Sequence, residues 1–191
     1  MNTTGKLAAF FETDYPLNKE GVAELLASFD TVIVQKNSLL LEAGKIENKL
    51  KFLEKGVVRE YYATKDKETN INFYARPEFL TDFSSFNNSV ATKKYQECIT
   101  NVELKVLDKR KFLELLRKYD CGKSFIDLTF QKLLEQKELF EYHRITMTPE
   151  ELYNEILTNK PCWFHKIPQY HIASYLGITP ETLSRIRSRI S

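Results

Sequence analysis

The sequence predicts an α+β protein, in which an antiparallel β-sandwich or barrel is followed by helices. Between residues 31 and 75, short runs rich in Val, Ile, Phe and Tyr alternate with turn signals, as in antiparallel all-β architectures. After Asp108, apolar residues recur at helical spacing instead. The chain has 191 residues, which is enough for one moderate domain or two small ones.

A short helix is expected before the sheet region. Within residues 16–30, the apolar positions Val22, Leu25, Leu26 and Phe29 have helical spacing. The strands that follow are separated by four turn signals: Lys36-Asn37, Ala43-Gly44, Lys55-Gly56 and Lys65-Asp66-Lys67. Two more strands are predicted within residues 95–99 and 102–108.

The helical part begins with a short helix at 109–119 and continues with a longer one at 123–146. The longer helix carries an apolar stripe that is interrupted by one lysine: Ile126, Phe130, Leu133, Lys137 and Phe140. This stripe resembles the seam of a two-helix homodimer. The alternative is that it packs on the sheet domain of its own chain; we favour the dimer because the helix follows the sheet domain in the sequence.

A second domain is predicted to begin near residues 144–148. Thr148 is a natural N-cap, and Pro149 suits the first position of a helix. The run Asn159-Lys160-Pro161 ends that helix. We therefore divide the chain into a sheet domain at 1–122, a dimerisation helix at 123–146 and an all-α domain at 147–191.

The last segment has the pattern of a helix-turn-helix. Ala173 is followed four positions later by Gly177, which allows a sharp turn, and Thr179-Pro180 begins the second helix. Apolar residues face the crossing point of the two helices: Ile172, Leu176, Ile178, Leu183 and Ile186. The alternative is a helical hairpin whose basic face is only solvated.

The outer face of the second helix is polar and basic. From Lys160 onward, five basic residues oppose one acidic residue, a net charge of +4; because the whole chain carries +2, the other 159 residues sum to −2. A basic end on a slightly acidic body indicates an anionic partner. The candidate DNA-binding residues are Thr179, Glu181, Thr182, Ser184, Arg185, Arg187, Ser188 and Arg189.

Several other classes of protein lack support in the sequence. No apolar run reaches the roughly 18–20 residues that span a bilayer, and the first residues do not resemble a signal peptide, so we expect a cytoplasmic protein without a membrane partner. The three cysteines and three histidines are scattered, which predicts no metal site and no cofactor. No nucleophile, base and orienting group converge, so we expect no enzyme.

The residues 172–191, "IASYLGITPETLSRIRSRIS", resemble the recognition segment of the Crp/Fnr family of bacterial transcription regulators. The run at 39–62, with glycines at 44 and 56, is similar to the cyclic-nucleotide-binding-type β-roll of that family. The resemblance covers nearly the whole chain. It implies a double-stranded β-helix (jelly roll), a dimerisation helix and a C-terminal helix-turn-helix, in a homodimer that binds double-stranded DNA.

The resemblance also implies an effector pocket. Residues 78–86 lie where the family has its phosphate-binding cassette, and the candidate pocket residues are Phe79, Thr81, Asp82, Phe83, Ser84, Lys93 and Lys94. Thr81-Asp82 replaces the Gly-Glu of members that bind cyclic AMP, and Lys93-Lys94 lies near their Arg-Ser pair. Lysine lacks the planar guanidinium fork, so we expect an unknown small-molecule effector or none, rather than cyclic AMP. We favour a solvated loop for the two lysines and core positions for the nearby aromatics Phe73, Tyr74, Phe79, Phe83 and Phe86.

The family reads DNA with an Arg-Glu-x-x-x-Arg pattern. Glu181 and Arg185 match it, but Pro180 stands at the first Arg, so the usual half-site is not expected. No β-wing follows the second helix in the sequence, and we expect that helix to supply more of the contacts. RNA polymerase is a further candidate partner. The main alternative is a sensor that binds a protein partner, and not DNA, through its terminal helices.

Overall fold

The computed structural model describes residues 6–9, 19–119, 131, 134–135 and 138–190. Two four-stranded antiparallel sheets form its centre, as predicted. The first sheet has the order β1-β8-β3-β6, and the second has the order β2-β7-β4-β5. The strands are β1 (Asp30–Val34), β2 (Leu39–Leu41), β3 (Lys49–Lys55), β4 (Val58–Ala63), β5 (Glu68–Tyr74), β6 (Glu78–Phe79), β7 (Tyr95–Cys98) and β8 (Val102–Asp108).

The helices surround this sandwich. They are α1 (Lys19–Ala27), α2 (Phe83–Asn88), α3 (Lys109–Lys118), α4 (Pro149–Asn159), α5 (Cys162–Lys166), α6 (Gln169–Leu176) and α7 (Pro180–Ile190). Residues 138–146 are also helical and belong to the predicted long helix. Four of its five candidate seam residues, Ile126, Phe130, Leu133 and Lys137, lie outside the described residues, and the dimer seam stays a prediction.

Three apolar clusters hold the layers together. One lies between the first sheet and the helices α1 and α3, where Leu25 and Phe112 pack with Leu50 and Phe52. Another lies between the two sheets and includes Leu53. The third joins the outer face of the second sheet to the C-terminal helices, and its buried members are Val57, Phe73, Ala75, Ile99, Leu152, Tyr153, Ile156, Trp163, Ile167, Ile172, Ala173, Tyr175, Leu176, Leu183 and Ile186.

The turn at Gly56 fixes the approach of β3 to β4. Its φ of +102° lies in the left-handed region that favours glycine. A Cβ atom at this position would lie 2.6 Å from the carbonyl oxygen of Asn101, so a side chain could not fit without a backbone shift. The predicted turn at Lys55-Gly56 is confirmed.

Candidate nucleic-acid interface

The last two helices form the predicted helix-turn-helix. Gly177 ends α6 with a φ of +72°, and its N–H donates to the carbonyl of Ser174 (3.2 Å). The N–H of Ile178 donates to the carbonyl of Ala173 (3.0 Å), which closes the turn. Ala173 is fully buried, so α7 can approach α6 closely at this point.

The second helix begins as expected at Thr179-Pro180. The Thr179 hydroxyl accepts a hydrogen bond from the N–H of Thr182 (3.2 Å), which satisfies one of the free donors of the first turn. Leu183 and Ile186 are buried against the rest of the domain. These two anchors fix which face of α7 points away from the protein.

The outward face of α7 carries nearly all the predicted DNA-binding residues. Seven of the eight candidates are exposed, and Thr182 is half-buried. Arg189 Nη1 lies 3.4 Å from Glu150 Oε2, and the Ser188 hydroxyl donates to the carbonyl of Ser184 (3.0 Å). The exposed candidates are Thr179, Glu181, Ser184, Arg185, Arg187, Ser188 and Arg189.

Glu181 is held as a carboxylate on this face. Its pKa is lowered by its own backbone N–H, by the Thr179 hydroxyl and by the nearby charge of Arg185. A carboxylate accepts hydrogen bonds and suits the amino group of cytosine, whereas arginine suits guanine. The face therefore offers both kinds of base contact beside three exposed hydroxyl groups, those of Thr179, Ser184 and Ser188.

The first helix of the pair packs on the edge strand β5. Asn70 Nδ2 lies 3.2 Å from Nδ1 of His171 and 3.1 Å from the His171 carbonyl oxygen. The N–H of Asn70 donates to the hydroxyl of Ser174 (3.1 Å). Burial lowers the pKa of His171 to about 4, with a further contribution from Arg59, so the ring is neutral at pH 7 and can accept from Asn70.

Aromatic rings continue this contact. The ring of Phe73 meets that of Trp163 edge to face, with centroids 4.9 Å apart, and Trp163 meets Tyr175 in the same way at 5.2 Å. Phe140, the described member of the predicted seam, lies 5.6 Å from Tyr175 between ring centroids. Phe140 thus contacts the helix-turn-helix of its own chain.

A different face of the predicted long helix, seen in the described residues 134–135 and 138–146, is exposed to solvent. Its apolar side chains have exposed fractions between 55% and 76%: Leu134, Leu139, Tyr142 and Ile145. Exposed apolar residues at helical spacing are typical of a surface that meets another helix.

Three of the candidate effector residues, Thr81, Asp82 and Lys94, belong to a buried polar network inside the β-roll. The Asp82 carboxylate accepts from the Thr92 hydroxyl (2.6 Å), and the Thr81 hydroxyl accepts from the N–H of Lys51 (2.7 Å). Lys94 Nζ lies 3.2 Å from Glu60 Oε1 and 3.6 Å from Asp82 Oδ1. Burial alone would lower the pKa of Lys94, but the charges of Glu60 and Asp82 raise it above the ordinary value.

The remaining candidates are divided between core and surface. Phe83 is buried and Phe79 is half-buried, and their rings are 6.3 Å apart between centroids. Ser84 and Lys93 are exposed. The expectation of a solvated loop therefore fits Lys93 but was wrong for Lys94, because two buried carboxylates draw its side chain inward. Four of the five nearby aromatics are buried, as expected of core positions: Phe73, Tyr74, Phe83 and Phe86.

Sequence reasoning missed the centre of this network. Lys51 and Glu47 are each 4% exposed and form an ion pair of 2.6 Å. Gln96 accepts from Lys51 (2.9 Å) and donates to Glu60 (2.9 Å). The sequence of β3 contained a signal for this network. Leu53 is apolar, like Leu50 and Phe52, although it lies on the opposite face of the strand. A strand buried on both faces must also bury the lysine beside Leu53.

Comparisons with known proteins identify the fold. A scan of protein-family profiles finds no match to the sequence, and a search of curated proteins finds none either. Solved structures do match. The global regulator CLP of Xanthomonas campestris, described as responsive to c-di-GMP, superposes with a TM-score of 0.66 at 14% identity, over 91% of each chain.

Two further regulators give the same result. FixK2 from Bradyrhizobium japonicum has a TM-score of 0.68 at 13% identity, over 85% of this chain and 84% of its own. A variant of CooA from Carboxydothermus hydrogenoformans has a TM-score of 0.64 at 17% identity, over 99% of this chain and 85% of its own. These neighbours are Crp/Fnr-family regulators, and the chain has their fold: a cyclic-nucleotide-binding-type β-roll followed by a helix-turn-helix.

The described residues include neither a membrane-spanning helix nor a cluster of metal ligands. No helix among them has the length and apolar character of a membrane span. No group of three or more His, Cys, Asp or Glu residues in the same part of the chain could hold a metal ion.

Proposed function

We propose that the chain is a dimeric, sequence-specific DNA-binding transcription regulator of Crp/Fnr type. The observation that carries the proposal is the outward face of α7, where exposed arginines, a carboxylate and hydroxyl groups stand on a capped second helix of a helix-turn-helix. Side chains of this kind and length reach base edges in the major groove. The fold shared with known regulators supports the same function.

Seven of the eight candidate residues receive a role in the proposal. Glu181, Ser184 and Arg185 face the bases, while Arg187 and Arg189 lie nearer to phosphates. Thr179 and Thr182 bind phosphate together with the start of the helix. Because Pro180 replaces the family's first arginine, the site that is read differs from the common half-site.

Dimerisation is supported by the exposed apolar face that is formed by Leu134, Leu139, Tyr142 and Ile145. In a two-fold dimer this face would be covered by its own copy, and the two α7 helices would lie about one DNA turn apart, roughly 34 Å. Leu139 and Tyr142 are exposed members of this face. Replacing both with Gln should convert the dimer to a monomer in sedimentation experiments.

The test of DNA binding begins with selection from a random-sequence DNA pool. The recovered fragment is then titrated with wild type and with the double variant Arg185→Ala, Arg187→Ala. We predict a loss of about tenfold to a thousandfold in affinity, because each good base contact contributes about 1–3 kcal/mol. Arg110→Ala is the matched control, since that exposed arginine lies on α3 and away from α7.

Salt supplies a second criterion. Binding through phosphates must weaken steeply as salt rises. Equal and weak binding by wild type and the double variant would exclude the proposal. A partner captured from lysate after nuclease treatment, without any DNA shift, would favour the alternative of a sensor that binds a protein.

A further inference from the structure

A small cleft lies where the β-sheets meet the C-terminal helices, away from both α7 and the buried network. Its volume is about 290 Å³. The turn after β3, the loop after β5 and the helix α5 contribute to its walls. It is therefore shared by the sensor half and the helix-turn-helix half of the chain.

The lining of the cleft is rich in cations. Among the described residues, the cleft is lined by four cations, Lys6, Lys55, Arg76 and Lys166, and by one carboxylate, that of Glu54. Three of these cations already have contacts. Lys55 pairs with Glu103 (2.9 Å), Arg76 is 3.8 Å from Glu78, and Lys166 donates to the carbonyl of Ala75 (3.0 Å).

Those contacts leave an excess of positive charge. The partner of Lys166 is a neutral carbonyl, and the separation of Arg76 from Glu78 is long for a hydrogen bond. A concave surface with several cations concentrates anions.

The carboxylate of Glu54 indicates which further group a ligand of this cleft would carry. Its Oε1 atom is buried and has no hydrogen-bond donor among the described residues. A buried acceptor is normally satisfied, because leaving it unpaired costs about 1–3 kcal/mol. A ligand that carried a donor such as a hydroxyl close to its anionic group would satisfy this acceptor.

We propose that this cleft binds a small phosphate ester that has a free hydroxyl group. Lys55, Arg76 and Lys166 would hold the phosphate, and Glu54 Oε1 would accept from the hydroxyl. The volume is at the lower end for small-molecule sites, about 300 Å³, which favours a compact ligand. Arg76 lies in the loop after β5, and Lys166 lies on α5. The ligand would therefore connect the two halves of the chain.

An effect of the ester on DNA binding rests on the proposed function, whereas the binding of the ester itself does not. A ligand that connects both halves would favour one arrangement of the helix-turn-helix over another. The experiment below measures ligand binding alone. Its result is therefore independent of whether the chain binds DNA.

The test uses calorimetric titration of the full chain at constant ionic strength, with ribose 5-phosphate and inorganic phosphate as probes. Arg76→Gln should weaken both probes about fivefold or more, because a charge-assisted hydrogen bond is lost. Glu54→Leu, which removes the acceptor, should weaken ribose 5-phosphate and leave phosphate unchanged or tighter. Lys65→Gln, which removes an exposed charge at the β4–β5 turn, should leave both affinities unchanged.

Three results would overturn the proposal. One is the absence of saturable binding of ribose 5-phosphate at millimolar concentration. Another is equal weakening by Arg76→Gln and Lys65→Gln, which would indicate a general charge effect. The third is an equal effect of Glu54→Leu on both probes. The Arg76 side chain is 71% exposed, so Arg76→Gln should fold normally, and circular dichroism checks this.

Discussion

The outer face of α7 and the interior of the β-roll are both rich in polar groups, but these groups have opposite surroundings. On α7, Arg185 and Glu181 point into solvent. Inside the β-roll, Lys51 and Glu60 are almost completely buried and are bound by other side chains of the same network. The first surface is available to a partner, whereas the second is occupied by the protein itself.

The fold alone does not show which of these two polar regions is available to a ligand or partner, but the surroundings of their side chains do. In the interior, Lys94 takes a position where a ligand's charge could otherwise be balanced, and the Thr92 hydroxyl satisfies Asp82. Buried charges are tolerated when they are paired and hydrogen-bonded. We therefore expect the β-roll to be stable without an effector in its interior, while the polar groups of α7 remain exposed to solvent.

The largest effect is expected from breaking the buried ion pair. Lys51→Met leaves the Glu47 carboxylate without its cation, which should lower the free energy of unfolding by about 3–5 kcal/mol. Adding Glu47→Gln removes the uncompensated charge and keeps the acceptor for the N–H of Lys49. The double variant should regain most of the loss in urea unfolding. If both variants unfold at the same urea concentration, the pair is not coupled.

The neighbouring lysines 93 and 94 provide a matched comparison. Lys94→Ala should lower the free energy of unfolding by about 1–3 kcal/mol, because Glu60 and Asp82 lose a shared cation. Lys93→Ala should change it by less than about 0.5 kcal/mol, as is usual for an exposed side chain. Equal thermal midpoints for the two variants would contradict the inward position of Lys94.

A smaller effect is expected at the start of α7. Thr179→Ala removes the side-chain acceptor for the N–H of Thr182 and should cost about 1 kcal/mol. Thr179→Ser keeps the hydroxyl and should behave like wild type. The measurement is thermal unfolding followed by circular dichroism, and identical curves for Ala and Ser would show that the cap contributes nothing.

An effect of similar size depends on pH. The folded-state pKa of His171 is about 4, below its unfolded value of about 6.5. The unfolded chain therefore binds more protons between these values, and stability falls as the pH is lowered from 6.5 towards 4. Because the ring is only half-buried, the discounted contribution is about 1 kcal/mol. The difference in stability between wild type and His171→Asn should vary over this interval, and a constant difference would refute the assignment.

Local signals in the sequence predicted local features well. Gly56 and Gly177 marked turns because both have positive φ, and Thr148 and Thr179 marked helix starts that the structure confirms. Such features depend on a few adjacent residues. The two antiparallel sheets and the helix-turn-helix were predictable for the same reason.

Long-range features were predicted less well. The β3 sequence shows that Lys51 shares a face with Leu53, but only the meeting of the two sheets makes that face interior. The contact between Asn70 and His171 joins residues 101 positions apart, and no local pattern encodes it. The short helix α5 was missed because Pro161 ends the preceding helix and only five residues follow before Ile167.

The aromatic contact between β5 and α6 gives the protein an internal optical probe. Trp163 is the only tryptophan in the chain and is 3% exposed, between Phe73 of the sheet and Tyr175 of the helix-turn-helix. Its fluorescence therefore reports on the junction of the two halves without any attached label. Separation of the halves would admit water to the indole and shift its emission to longer wavelength, so movement at this junction can be followed in the unmodified protein.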